Sequence, residues 1–279
     1  GASNTCVGYG TGYDLTSGNS NVLIGRDAGA NFTNNEGNIA IGHGALGLGN
    51  GNEHYNIAIG MNALGADCAS SDYCVAVGHN ALILQNTNVK NTAIGGLAGD
   101  AIEGGDENTY VGYAAGSASV DVDGNTAIGH MAYVKGTGAS NTVIGGGAGS
   151  SAKNSSTALS GDDNVIIGRS AGYDLTTGPG NVLVGRSAGA NMTTGDYNVA
   201  IGWEAAVAMV GNGNTNIAIG KRALYTEAST ASSCIAIGLE ALKLQNDASA
   251  INLAIGTSAG EAITSGTQNA LIGHEAGSA

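Results

Sequence analysis

The chain has 279 residues, of which 49 are Gly and 11% are charged, with a single Pro, Trp and Phe; an average chain carries about 7% Gly and 25% charge. Its 42% hydrophobic content is mostly Ala, Val and Ile. That excludes a bulky two-layer core and an ordinary mixed globular enzyme, and asks for small side chains interlocked in a thin, regular structure. With 22 acidic and 9 basic residues the net charge is -13, which repels phosphate backbones and anionic lipid heads, so nucleic acid is not an expected partner.

Gly has no three-residue register, which removes collagen, and apolar residues are too frequent for a disordered linker. No apolar run approaches the roughly 20 residues that span a bilayer, so no membrane insertion is expected. The chain starts at Gly1 in mid-pattern, without a basic n-region, as a fragment or processed piece would. Cys6, Cys68, Cys74 and Cys234 have neither metal-ligand spacing nor the density of a disulfide framework, although a local Cys68 to Cys74 bridge is conceivable.

In chain order, one five-residue phrase recurs sixteen times: Asn, any residue, a small or aliphatic residue, Ile or Val, Gly. It opens at Asn4, Asn21, Asn38 and Asn56, takes Cys in place of Asn at Cys74 and Cys234, and closes at Asn269. Spacing is 16 to 18 residues except for 23 between Asn141 and Asn164. The expected organisation is therefore a first solenoid block of nine repeats over 1–149, an outward loop insertion over 150–163 and a second block of seven repeats over 164–279, in one continuous rod. A longer echo is superposed, since GYDLTSG at 12–18 returns as GYDLTTG at 172–178, 160 residues later.

A 17-residue unit is too short for a helix pair or a propeller blade, and its Gly content would cost a helix about 1 kcal/mol at each site. It reads as a strand. Alternation places positions two and four of the phrase, such as Val22 with Ile24 and Val199 with Ile201, on one face, expected to point into the core. Position three is also small or aliphatic, as in Ala40 and Leu183, so the other face needs cover as well. The fold class expected is all-β: a parallel β-solenoid of about 16 coils of 17–18 residues, stacked about 4.8 Å apart into a rod of roughly 75 Å. The repeat Gly should supply a corner or a close approach, the Asn column rung-to-rung amide bonds, and Cys74 and Cys234 small buried thiols.

The phrases NIAIGHGAL at 38–46, NTAIGGLAG at 91–99 and NVAIGWEAA at 198–206 resemble two related groups. One is the head repeat of YadA-like trimeric autotransporter adhesins. The other is the NTAIGxxAL array of tailed-bacteriophage tail-fibre proteins, often placed before a self-cleaving intramolecular chaperone. The resemblance covers essentially the whole chain. It implies a β-roll with left-handed coils, a homotrimer about a long axis, a place on a virion tail fibre or a cell surface, and attachment to a host glycan or outer-membrane receptor. The unit is longer than the adhesin unit of about 14 residues, and neither stalk nor anchor is present, which favours the phage fibre over the adhesin head.

Chemistry concentrates in the column after the repeat Gly, which holds four of the five His, four of the nine basic residues and the only Trp. Arg169, Arg186 and Trp203 fall on consecutive rungs and are the candidate binding residues, suited to stacking on sugars and to hydrogen-bonding acidic glycans. No metal site is expected: the column's His residues are separated by other residues, and Asp121, Asp123 and Asn125 form only a fragment of a calcium loop. No catalytic residue and no cofactor are assigned, because neither a GxSxG elbow nor a P-loop occurs, and the acid pairs Asp162 with Asp163 and Glu103 with Asp106 lie in variable loops. An ice-binding solenoid is disfavoured, since Thr fills position two in only five copies.

Overall fold

A computed structural model describes residues 1–49, 53–66, 71–86, 90–150, 158–209, 213–226, 232–247 and 250–278. The chain forms two compact units, Gly1–Thr137 and Gly138–Ala279. The expected insertion at 150–163 includes residues 151–157, and the possible Cys68 bridge includes Cys68; both lie outside the described residues. The first unit contains β1 (Thr5–Val7), β2 (Val22–Ile24), β3 (Ile39–Ile41), β4 (Ile57–Ile59), β5 (Val75–Val77), β6 (Thr92–Ile94), β7 (Thr109–Val111) and β8 (Thr126–Ile128). The second contains β9 (Thr142–Ile144), β10 (Val165–Ile167), β11 (Val182–Val184), β12 (Val199–Ile201), β13 (Ile217–Ile219), β14 (Ile235–Ile237), β15 (Leu253–Ile255) and β16 (Ala270–Ile272).

Each unit is a parallel β-solenoid, one strand per coil. Neighbouring strands pair position by position, as Val22↔Ile39↔Ile57 and Val182↔Val199↔Ile217. The ladder continues past the strands: Gly25 N donates to Val7 O at 2.8 Å, Asp27 N to Tyr9 O at 2.9 Å and Gly29 N to Ala45 O at 3.0 Å. Backbone groups of the corner are thus satisfied by the next coil, as those of the strand are.

One expectation is corrected. Position three faces inward, and positions two and four face outward: Leu23, Ala40, Ala58, Leu183, Ala200 and Ala218 have no exposed surface, whereas Ile24, Ile94 and Ile201 are 36%, 42% and 38% exposed. A three-residue strand that presents its middle residue to the interior must turn both outer ones away. Because both faces are apolar, alternation alone could not tell them apart.

In most coils the interior is filled by a volume exchange. Where position three is large, the residue four after the repeat Gly is Gly, as in Leu23 with Gly29, Tyr110 with Gly116 and Ile166 with Gly172; where position three is Ala, that residue is large in six of nine coils, as in Ala40 with Leu46, Ala127 with Tyr133 and Ala218 with Leu224, and small in the other three, Ala93 with Gly99, Ala200 with Ala206 and Ala254 with Gly260. A Cβ on Gly116 would stand 2.7 Å from the Tyr110 ring, and one on Gly29 would stand 2.9 Å from a Leu23 methyl. This corner is left-handed whatever residue occupies it, with φ of +56° at Gly29 and +48° at Leu46. Leu pays about 1–2 kcal/mol for that geometry, offset by about 1.5–3 kcal/mol from full burial of its side chain.

A buried amide ladder holds the opposite end of the strand. The backbone N of Asn38 donates to Asn21 Oδ1 at 2.9 Å, that of Asn56 to Asn38 Oδ1 at 2.9 Å and that of Cys74 to Asn56 Oδ1 at 2.8 Å. Cys74 and Cys234 are buried, as expected, and burial pushes both thiols up from their ordinary range. Neither offers an amide oxygen to the next coil. Two buried glutamines supply it instead: Asn91 Nδ2 donates to Gln85 Oε1 at 3.1 Å, and Asn252 Nδ2 to Gln245 Oε1 at 2.6 Å.

Two outcomes follow for β12 and its corner. Ala200→Asp should abolish the cooperative melt of the second unit, because an unpartnered carboxylate would lie between Leu183 and Ala218 at a cost of several kcal/mol, while Ile201→Asp keeps the strand signal in circular dichroism; equal damage from both would reverse the facing. Gly202→Ala should destabilise almost as much as Gly202→Val, by about 2 kcal/mol or more, since φ is +137° and the first added carbon already stands 2.6 Å from Gly220 O. Denaturant unfolding measures it, and a mild Ala effect would refute the close approach.

Candidate binding surface

The outward side of each coil carries three columns in succession: positions two and four of the strand, then the residue beyond the repeat Gly. Position four is Ile or Val in all sixteen copies, from Val7 to Ile272. The third column is exposed at Tyr9, Arg26, His43, Met61, His79, Tyr113 and His130 in the first unit and at Arg169, Arg186, Trp203, Lys221, Leu239, Thr257 and His274 in the second. Arg169, Arg186 and Trp203 follow β10, β11 and β12, whose register runs Ile167↔Val184↔Ile201, so the three lie on adjacent rungs.

Lys221, one rung further, was not among the residues singled out in the sequence. Its Nζ stands 4.7 Å from the centre of the Trp203 ring, so one indole face holds an ammonium and is not an open platform on that side. The column position of Lys221 was readable from the repeat; the contact with Trp203 was not. In the first unit Tyr113 and His130 stack in the same column at 5.7 Å. Arg26 is engaged differently, with Nε 3.1 Å from Asp27 Oδ2.

The adjoining corner of the second unit is a chain of ion pairs. Arg222 Nε lies 2.8 Å from Glu204 Oε2, and Lys243 Nζ lies 3.0 Å from Glu240 Oε2 and 3.2 Å from Glu261 Oε1. Glu204 raises the Arg222 guanidinium, Glu240 raises the Lys243 ammonium, and the Ser258 hydroxyl with Lys243 holds the Glu261 carboxyl below its usual range. In the first unit, on the coils of β1 and β2, the corner borders a shallow groove of about 470 Å³ lined by Tyr9, Tyr13, Asp27 and Asn31.

Among the described residues, no three His, Cys, Asp or Glu side chains come together as a metal site would require. Asp123 is used within the fold, its Oδ1 accepting from Asp106 N at 2.8 Å, and Asp162 Oδ1 likewise accepts from Ala139 N at 2.8 Å. No helix is long and apolar enough to cross a membrane among the described residues. Comparison with protein-family models, curated proteins and solved structures finds no match to this chain.

The cations of the corner and of the column should separate in a melting experiment. Arg222→Ala leaves Glu204 and Glu240 facing each other without their shared cation and should lower the melting temperature of the second unit, more at low salt than at high salt. Arg186→Ala should leave it unchanged, because exposed changes shift stability by no more than about 0.5 kcal/mol. Equal effects would show that the ion pairs carry no stability.

Proposed function

We propose that the chain is a structural fibre segment for host-cell attachment, in which three parallel copies pack through their outward Ile and Val columns and space or present a receptor-binding surface. The observation that carries this reading is the position-four column, apolar in every copy yet turned away from the interior. Each monomer leaves part of this aliphatic column in water, 36–42% at Ile24, Ile94 and Ile201, whereas a copy stacked against it in the same register buries a continuous ladder. Full burial of one such side chain contributes about 1.5–3 kcal/mol. The column beyond the repeat Gly then lies at the rim of the contact, where its charged side chains keep water and avoid the cost of burial. The repeats' resemblance to tail-fibre arrays points the same way, to a virion fibre at the cell surface.

Light scattering on the purified chain tests the assembly. The unaltered protein should have the mass of three chains, and Ile201→Asp combined with Ile219→Asp should shift it to one chain with unchanged circular dichroism. A single-chain mass for the unaltered protein would overturn the trimer and leave the solenoid intact.

A further inference from the structure

Four of the nine basic side chains of this acidic chain pair with acids within the fold, and three of the others share one line. Arg26, Lys90, Arg222 and Lys243 pair with acids, Lys135 is engaged as well, and Lys153 lies outside the described residues. Among the described residues Arg169, Arg186 and Lys221 have no acidic partner, and all three stand in the column beyond the repeat Gly, on the coils of β10, β11 and β13.

The internal duplication shows how this line differs from its counterpart. Positions 160 residues apart correspond, so Tyr9, Arg26, His43 and Met61 of the first unit match Arg169, Arg186, Trp203 and Lys221 of the second. Arg26 is paired with the adjacent Asp27, but beside Arg186 the same position is Ser187, with the same backbone (φ +55° at both). The second copy thus has two cations that the first lacks, and no acid beside the one they share. The nearest acid in the adjoining column, Glu204, is taken by Arg222 at 2.8 Å. Trp203 adds order, since Lys221 Nζ sits over its ring at 4.7 Å and is held on the line rather than free to reach an acid elsewhere.

We infer that the stripe from Arg169 to Lys221 binds a linear carboxylated polysaccharide laid along the solenoid axis, with Trp203 as the positioning residue for Lys221. This rests on the attachment reading for its biological sense but not for its chemistry. The four rungs span about 14 Å at about 4.8 Å per coil, and a uronic-acid polymer carries its charges about one sugar apart, a spacing of the same order. Guanidinium groups match carboxylates through paired N–H donors. Duplex DNA, with one charge per about 1.7 Å, would meet a line one residue wide on a body of net charge -13, which repels it on both sides.

The test is titration calorimetry of the whole chain with polygalacturonate, with dextran as the neutral polymer and single-stranded DNA as the alternative polyanion. Polygalacturonate should bind, more weakly as salt rises from about 20 mM to about 300 mM, and dextran and DNA should not bind measurably. Replacing Arg169, Arg186 and Lys221 together by Ala should remove binding at unchanged melting temperature. Ser187→Asp, which recreates the Arg26–Asp27 pair without removing a cation, should weaken it about tenfold. Trp203→Ala should weaken it less, and make Lys221→Ala redundant. Binding that survives the triple change or Ser187→Asp overturns the stripe, and equal binding of dextran or tighter binding of DNA overturns the ligand class. Absence of polygalacturonate binding by a protein with the mass of three chains overturns this site and leaves the fibre standing; binding by a single-chain species keeps the site and overturns the assembly.

Discussion

Everything in these two units depends on how closely one coil can lie on the next at the repeat Gly. The carbonyl of each such Gly points at the Cα of the Gly one coil away, so that at Gly202 a side-chain carbon would stand 2.6 Å from Gly220 O. The same residue has φ of +137°, outside the range open to L side chains. Steric absence and backbone geometry coincide at one atom, and the column is Gly in all sixteen copies. With that contact in place, the N–H of Gly220 reaches Ile201 O at 2.8 Å, and the N–H of Arg222 reaches Trp203 O at 3.0 Å. Strand and corner are then joined by one continuous ladder.

The close stack leaves little room inside, and the sequence solves this coil by coil. In thirteen of the sixteen coils one side chain larger than Ala enters from either the strand or the corner, with Ala or Gly at the other place. At the far end the amide ladder demands an acceptor on every rung, and Gln85 and Gln245 stand in where Cys74 and Cys234 have none. The same pairing recurs in both copies of the duplicated block: Cys supplies small buried volume, and Gln an acceptor for the side-chain amide of the next Asn.

Outside, the units divide their surface by chemistry. The branched aliphatics of position four form an apolar strip, and the adjoining column carries His, Arg, Lys and aromatic side chains. In the second unit the corner beyond it is closed by Glu204, Arg222, Glu240, Lys243 and Glu261, which satisfy one another. Arg169, Arg186 and Lys221 thereby stand in a single line between an apolar strip and a corner of internal ion pairs. An anion approaching the second unit meets them with no acid in the way.

The period, the parallel stack, the rung-to-rung register and the exposure of the column beyond Gly were all legible in the sequence, because each is fixed by counting residues from one repeat to the next. Arg169, Arg186 and Trp203 could be set on adjacent rungs by that count alone. The inward face could not, since Val22 with Ile24 and Leu23 are apolar on both sides of the strand, and hydrophobic alternation has no sign when both faces are buried or apolar. Nor could the partners of each charge: Lys221 over Trp203, Arg222 on Glu204 and Gln85 on Asn91 join residues of different columns or coils, where the side-chain path through space decides. Sequence by itself determined which residues share a rung and a column; tertiary structure decided which way each column points and which charges remain unspent, because those depend on distances between side chains that no repeat length encodes.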